Sequence, residues 1–339
     1  MNYRPDHDIT PGYDVIGDVH GEAGKLRDLL YEMGYREKDG VWKHPARMAV
    51  FVGDYVDRGP DQIGVYRIVR AMVEAGAAHA IMGNHELNAI AYATPDGQGG
   101  WCRKHNDDNQ RAHAEFLEQV VEGSDLHREI IAWFLTLPLW LELDGIRAVH
   151  ACWDEQAMKD IAPYIGPNNT LPPDCIPAAA GIGSKGKNFI RRNGRVDEDL
   201  NPLYRSIETL LKGVEVELPE GVSYHAEGKE RYATRVGWWS APGTSYDDGA
   251  IFSRKQRQEL QKPLPSDPLP ALSLKKQTDP RPLFIGHYWR QAGQEAIVAP
   301  NIVCVDFSAC RGGQLVAYRW SGEHEVRPDH LVGMELMPC

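Results

Sequence analysis

The sequence predicts an α/β protein in which two mixed β-sheets pack face to face and helices cover the outside. Over residues 12–90, apolar runs typical of buried strands alternate with amphipathic helical segments. Such alternation favours parallel strands joined by right-handed crossovers. Strand patterns then resume at 283–286, 302–306 and 314–320 after a long intervening region. A sheet resumed so late along the chain indicates the two-sheet sandwich.

The individual elements follow from periodicity. Apolar runs predict strands at 13–16, 48–52 and 78–82, and apolar residues at helical spacing predict helices at 22–34 and 61–75. Residues 109–135 are predicted to be helical. Strands are expected at 138–143 and 146–150, joined by Asp144 and Gly145, which are typical of a hairpin turn.

Bulk composition limits the class of protein. The chain has 339 residues, 42% apolar and 25% charged, with a net charge of −11. We expect one domain over residues 1–339 with loop or subdomain insertions at about 163–199 and 263–282, which are rich in proline, glycine or both. The acidic balance argues against a nucleic-acid polymer or a membrane surface as partner, because such binding needs excess positive charge.

The cysteines indicate a reducing compartment. All six are scattered, without a C-x-x-C pair, so neither a disulfide framework nor a zinc finger is predicted. The first residues lack an apolar signal region, and no apolar run is long enough for a spanning helix. We therefore expect a cytoplasmic protein.

Three short polar segments follow the first three predicted strands. They read Gly-Asp-Val-His-Gly at 17–21, Gly-Asp-Tyr-Val-Asp-Arg-Gly at 53–59 and Gly-Asn-His-Glu at 83–86. In an open α/β sheet, ligands bind at the carboxyl ends of the strands. Asp18, His20, Asp54 and Asn84 offer the oxygen and imidazole ligands that divalent metals prefer. A carboxylate such as Asp54 can bridge two ions, which is the arrangement used for displacement at phosphorus.

With these residues the chain resembles the phosphoprotein phosphatase type of metallophosphoesterase, a group that includes calcineurin-like serine/threonine phosphatases and bacterial diadenosine tetraphosphatases. The similarity extends to Val-His-Ala-Cys at 149–152 and Ile-Gly-His-Tyr at 285–288. It implies a four-layer α/β-β/α sandwich, and two divalent ions with His150 and His287 completing the second. Mn²⁺ is the expected ion, with Fe, Zn, Ni and Co as alternatives.

Three residues of the same motifs are candidates for catalysis. His85 follows Asn84, and we expect it to protonate the leaving oxygen. Asp57 is its expected partner, since carboxylates orient catalytic imidazoles. Arg58 can fork to two phosphate oxygens. The resemblance thus implies phosphoester hydrolysis by a metal-activated hydroxide, whereas Glu86 is expected to brace the loop.

The substrate stays open at this point. The Tyr-Asp-Asp-Gly stretch at 246–249 has no arginine where protein phosphatases carry a second one. We predict hydrolysis of phosphomonoesters of the Ser/Thr protein phosphatase type, with dinucleoside polyphosphate hydrolysis as the first alternative and an inactive metal-binding scaffold as the second. The substrate is then a phosphorylated protein or a small phosphorylated molecule. Further candidate substrate contacts are Tyr288, Lys185, Lys187, Arg191 and Arg192.

Overall fold

The computed structural model describes residues 12–333 except 187, 198, 227 and 292. Within them the strands are β1 Gly12–Ile16, β2 Arg36–Lys38, β3 Val41–Lys43, β4 Arg47–Phe51, β5 Ala78–Ala80, β6 Trp140–Glu142, β7 Arg147–Val149, β8 Glu215–Glu217, β9 Tyr224–Ala226, β10 Lys229–Arg231, β11 Ala233–Arg235, β12 Leu283–Ile285, β13 Ile297–Ala299, β14 Ile302–Cys304, β15 Ala317–Trp320 and β16 Leu331–Val332.

The helices of the same residues are mostly short. They are α1 Ala23–Glu32, α2 Gln62–Glu74, α3 Asn84–Ala93, α4 Asp107–Ala112, α5 Ala114–Gln119, α6 Asp125–Phe134, α7 Glu155–Ile161, α8 Ile176–Ala179, α9 Pro202–Lys212, α10 Tyr246–Gly249 and α11 Arg254–Gln258. Short 3₁₀ turns lie at Pro167–Asn169, Pro173–Cys175, Ala271–Ser273, Ala309–Arg311 and Pro328–His330. No helix in the described ranges has the length and apolar character needed to cross a membrane.

Two five-stranded mixed sheets form the centre of the molecule. The first has the strand order β16-β15-β1-β4-β5, and the second has the order β13-β14-β12-β7-β6. β1, β4 and β5 are parallel, as are β7, β12 and β14. The antiparallel pairs are β1 with β15, β15 with β16, β14 with β13, and β7 with β6. The predicted sandwich of two mixed sheets is confirmed.

Successive side chains of a strand point to opposite faces of the sheet, so β1 and β4 contribute to two different hydrophobic clusters. Val15 and Val50 belong to a cluster between the sheets that also contains Phe284 and Tyr318, whose ring centroids lie 5.1 Å apart. Ile16 and Phe51 face the other way, into the larger cluster that contains the apolar side of α1 and α2. The helices therefore cover the outer faces of the sandwich.

One predicted element is divided. The helix expected over 109–135 is three helices, α4, α5 and α6. α5 ends at Gln119, where Val120 takes an extended conformation, and the Ser124 hydroxyl then accepts from His127 N at 3.1 Å to begin α6. α4 and α5 are separated at His113, which has a non-helical φ of −120°.

Candidate active site

The predicted ligands lie at one edge of the sandwich because they follow parallel strands. Asp18 and His20 come after β1, Asp54 after β4, and Asn84 opens α3 after β5. His150 and His287 follow β7 and β12 of the second sheet. Parallel strands end at the same edge, so residues from five strands meet there.

Asp54 is the centre of this group. Its Oδ2 lies 3.4 Å from Nε2 of His20, and its Oδ1 lies 3.3 Å from Nε2 of His150. Asn84 Oδ1 lies 3.2 Å from Nε2 of His150 and 2.8 Å from Nδ1 of His287. Asp18 is joined to the group by the backbone N–H of His287, which donates to Asp18 Oδ2 at 3.0 Å. The structure thus brings all six predicted ligands together.

The hydrogen-bond pattern of this group fits metal binding. Nδ1 of His20 and Nδ1 of His150 face the carbonyl oxygens of Val56 and Val52 at 2.9 Å and 2.7 Å, so each must carry a proton. In a neutral ring Nε2 then carries a lone pair and no proton. In both histidines Nε2 faces the carboxylate of Asp54. Burial, followed by the charge of Arg58, lowers the pKa of His20 well below its usual range, which favours the neutral ring. A divalent cation would satisfy His150 Nε2 and Asp54 and, in place of Arg58 Nη1 at 2.7 Å, His20 Nε2.

Buried polar atoms without a partner support the same conclusion. Asp18 Oδ1 and His287 Nε2 have no hydrogen-bond partner. Burial and the nearby carboxylate of Asp306 raise the pKa of Asp18 well above its usual value. Two sets of ligand atoms lie close enough to hold one ion each: His20, Asp54 and His85, and Asp54, His150 and His287. A pair of divalent cations would provide partners for these two atoms and reduce the repulsion between the carboxylates of Asp18 and Asp306.

The backbone at the site is held in uncommon conformations. His20, Asp54, Asp57, Arg58 and His287 all have positive φ, between 44° and 74°. Each such residue costs roughly 1–2 kcal/mol, so this strain persists only because surrounding contacts impose it.

Glu86 supplies part of that support, as the sequence predicts. Its Oε2 accepts from the backbone N–H groups of Asp54 and Gly83 at 2.8 Å and 2.9 Å, and its Oε1 accepts from Tyr55 N at 2.7 Å. Burial and the charge of Asp54 raise the pKa of Glu86, whereas the hydrogen bonds from Tyr55 N and Gly83 N oppose the rise. One fully buried carboxylate therefore ties the loop after β4 to the start of α3.

Asp57 lies between two imidazoles. Its Oδ2 bonds Nδ1 of His85, the predicted partner, and its Oδ1 lies 2.6 Å from Nδ1 of His113. Burial acts to raise the pKa of Asp57, but the two histidines outweigh it and hold the pKa below the usual range. His113 was not predicted, because no motif or spacing connects it with a residue 56 positions earlier. Its turn toward Asp57 coincides with the break between α4 and α5.

Arg58 reaches into the group of ligands. Its Nη1 donates to His20 Nε2 at 2.7 Å, and its Nη2 donates to His85 Nε2 at 2.9 Å. The guanidinium carbon lies 4.5 Å from the ring centre of Trp289. The predicted phosphate contact is therefore beside the predicted proton donor.

Comparison with known proteins shows which family the chain is similar to. Residues 13–169, a little under half of the chain, match the model of the calcineurin-like phosphoesterase family. Over these residues the chain is similar to calcineurin-like metallophosphoesterases.

Curated relatives match the chain over shorter stretches. An asymmetrical bis(5'-nucleosyl)-tetraphosphatase PrpE of Oceanobacillus iheyensis is 35% identical over 140 residues, which are 41% of this chain and 54% of the relative. A symmetrical bis(5'-nucleosyl)-tetraphosphatase of Aromatoleum aromaticum is 36% identical over 140 residues, or 40% of this chain and 42% of the relative. The chain thus spans about half the length of these relatives.

Solved structures overlap more broadly but less closely. The overlap with a cold-active protein-tyrosine phosphatase of a psychrophilic Shewanella species covers 96% of this chain and 83% of the phosphatase chain. The identity is 15% and the TM-score is 0.47. A protein serine/threonine phosphatase from Saccharomyces cerevisiae covers 98% and 83%, with 13% identity and a TM-score of 0.44. Overlaps of this quality are too weak to distinguish between substrates.

Among the predicted substrate contacts, Tyr288 requires a correction. The side chain is 5% exposed, its ring packs edge-on against Trp239, and its hydroxyl is buried without a partner. A Cβ atom on Gly213 would lie 2.2 Å from that hydroxyl. Tyr288 therefore packs behind His287 and does not present its hydroxyl to a substrate.

The predicted basic segment is largely neutralised by its own neighbours. Arg191 forms a forked pair with Asp197, with Nη2 2.8 Å and 3.0 Å from the two carboxylate oxygens. Arg192 lies 3.7 Å from Glu217. Lys185 is exposed, and Lys187 lies outside the described residues. The sequence showed the basic residues of this segment but could not show which acidic groups fold against them.

Proposed function

We propose that this chain is a dinuclear-metal-dependent hydrolase of phosphoester bonds. The observation that supports it most is the convergence of unprotonated nitrogens and carboxylate oxygens around Asp54, at the strand ends of a chain similar to calcineurin-like phosphoesterases. The proposed ligands are Asp18, His20 and Asp54 for one ion, and Asp54, Asn84, His150 and His287 for the other. We propose Mn²⁺, because mixed oxygen and imidazole ligands suit it.

Two such ions supply Lewis acidity toward a phosphoryl oxygen and lower the pKa of a coordinated water. The chain's own residues do the rest. Arg58 binds phosphoryl oxygens through its planar fork and balances their charge. Once Arg58 leaves His85 Nε2 for phosphoryl oxygens, that nitrogen can carry the proton for the departing oxygen, while Asp57 holds Nδ1 and so fixes which nitrogen faces the substrate.

Substrate class is the finer part of the proposal. A phosphomonoester of the Ser/Thr protein phosphatase type, as the sequence suggested, remains a prediction. The second candidate is a dinucleoside polyphosphate, and the names of the curated relatives favour it. The proposed setting is the cytoplasm, since five cysteines within the described residues are unbridged.

Chelation and one substitution test this proposal. A chelator should abolish hydrolysis of p-nitrophenyl phosphate, and Mn²⁺ should restore it. Asp54→Asn should lose both activity and bound metal, measured by elemental analysis, because it removes the charge between the two sets of ligands. Asp160→Asn, a change of the same size on α7, is the matched control. Full activity of metal-free protein would refute the proposal, and bound metal without turnover of any phosphoester would indicate the scaffold.

A further inference from the structure

We infer that Arg311 and Trp289 form an anion subsite beside Arg58, which binds a second phosphoryl group linked to the one that is hydrolysed. This inference rests on the proposed phosphoesterase function. Of the two substrate classes proposed above, such a subsite favours esters of a polyphosphate chain over simple phosphomonoesters.

Two guanidinium groups share one indole ring at the edge of the site. The guanidinium carbon of Arg58 lies 4.5 Å from the centre of the Trp289 ring, and that of Arg311 lies 4.0 Å from it. The two carbons are therefore no farther apart than these distances together, about 8.5 Å. A short polyphosphate chain spans a distance of this order, so Arg58 can bind the reacting phosphoryl group while Arg311 binds a neighbouring one.

The positions of the two arginines fit these separate roles, with Arg58 inside the site and Arg311 at its edge. Arg58 points inward and donates to His20 and His85. Arg311 is exposed on the 3₁₀ turn Ala309–Arg311, at the surface of an acidic protein with a net charge of −11. A substrate that carries a single phosphoryl group ends at Arg58, whereas a longer anion extends toward Arg311.

The segments that carry Trp289 and Arg311 are fixed to each other. One buried carboxylate, Asp306, accepts from Trp289 N through Oδ2 at 2.8 Å and from Ser308 N through Oδ1 at 2.9 Å. Lys25 Nζ donates to the carbonyl oxygens of Ala309 and Gly313 at 2.5 Å and 3.1 Å, on either side of Arg311.

The same turn also lies near the centre of the site: burial raises the pKa of the Cys310 thiol, and the nearby charge of Arg58 opposes that rise. The backbone that presents Arg311 is therefore already ordered, and its guanidinium already lies against Trp289. Preorganisation of this kind reduces the entropic cost of binding.

Binding of a non-hydrolysable probe tests the subsite directly. Imidodiphosphate, which has two phosphoryl groups joined through nitrogen, and orthophosphate are titrated calorimetrically into the metal-loaded full chain, at equal free Mn²⁺ in cell and syringe. Arg311→Gln should weaken imidodiphosphate about 10-fold, since it removes a charge-assisted contact, and should change orthophosphate less than about 2-fold. Arg311→Lys keeps the charge without the fork and should give an intermediate affinity.

Arg36 provides a matched control. It is also an exposed arginine over an aromatic ring, 4.1 Å from the centre of Tyr31. Arg36→Gln makes the same change in net charge and should leave both affinities unchanged. Equal weakening of the two anions by Arg311→Gln, or no weakening of either, would overturn the inference.

Kinetics separate this inference from the function on which it rests. Arg311→Gln should lower kcat/KM for diadenosine tetraphosphate about 10-fold and leave that for p-nitrophenyl phosphate within about 2-fold. If the unmodified protein hydrolyses neither compound yet binds imidodiphosphate in an Arg311-dependent way, the proposed function fails and the subsite stands. Equal losses of kcat/KM on both substrates would contradict the subsite while leaving the phosphoesterase intact.

Discussion

Replacing His113 by phenylalanine isolates the contribution of the second imidazole on Asp57. The aromatic ring keeps its place between Phe116 and Tyr92, whose ring centres lie 4.7 Å and 5.3 Å away. The hydrogen bond to Asp57 Oδ1 at 2.6 Å is lost, while the bond from His85 to Oδ2 remains. Packing is thus preserved and one acceptor of a buried carboxylate loses its donor.

The expected loss of stability follows from two opposed effects. Leaving a charged acceptor unpaired in the interior costs about 1.5–3 kcal/mol. His113 Nε2 is itself buried without a partner, so its removal recovers part of that cost. We expect a net loss of about 1–2 kcal/mol in the free energy of unfolding at pH 7, measured with urea.

The pH dependence gives a sharper readout. Because the folded-state pKa of Asp57 lies below its ordinary value of 3.8, the carboxylate contributes stability that is fully present above that value. This stability is lost as the pH falls toward the folded-state pKa. His113→Phe removes a donor that lowers the pKa, so acid unfolding should begin at a higher pH than in the unmodified protein.

His127→Phe is the control, because this buried histidine accepts from Gly123 N instead. The His113 variant should also lower kcat about 10-fold on alkyl phosphates and less on p-nitrophenyl phosphate, since a less firmly held Asp57 orients His85 poorly. Unchanged stability at pH 7, acid unfolding at the same pH as in the unmodified protein and unchanged kcat for both substrates would together refute this account of His113.

Three further substitutions test other parts of the site. His85→Asn should retain bound metal yet lower kcat by about 10²–10⁴, with a smaller loss on p-nitrophenyl phosphate, which needs no proton; an equal loss on alkyl phosphates would assign His85 another role. Glu86→Gln, compared with the exposed Glu74→Gln, should cost about 2–4 kcal/mol in urea unfolding and reduce bound metal, because an amide cannot accept from all three backbone donors. Gly53→Ala should be more destabilising than Gly76→Ala, by about 2 kcal/mol or more in thermal unfolding: both have positive φ, but only the Cβ at Gly53 would meet Gly83 N, at 2.6 Å, whereas that at Gly76 meets nothing within 4 Å. Equal costs for the two alanine variants would show that the close approach at Gly53 relaxes easily.

The sequence predicts the grouping of ligands well because one geometric rule governs it. Asp18, Asp54 and Asn84 each follow a buried strand, and parallel strands end at the same edge. The family resemblance added His150 and His287, which follow β7 and β12 of the second sheet in the structure. Local patterns and one topological rule therefore suffice for Asp18, Asp54 and Asn84, but not for these two histidines.

Local patterns in the sequence do not predict residues that reach the site through long-range contacts. His113 meets Asp57 through the packing of α4 and α5, and Trp289 meets Arg311 because Asp306 ties their segments together. Tyr288 was misplaced for a related reason: adjacency to His287 does not decide whether a ring faces the site or the core. The start of α6 after Ser124, by contrast, carried a readable signal, a capping serine.

The position of β1 has a consequence for how the site is made. This strand, which leads to Asp18 and His20, lies between β4 and β15. Tyr13 therefore pairs with Met48 on one side and with Trp320 on the other. During synthesis the first sheet can form its parallel strands early, but one edge of β1 stays open until residue 320 has left the ribosome. Assembly of the metal-ligand cluster is thus tied to the completion of nearly the whole chain, and a nascent chain stopped before β15 should present an unpaired strand instead of a working centre.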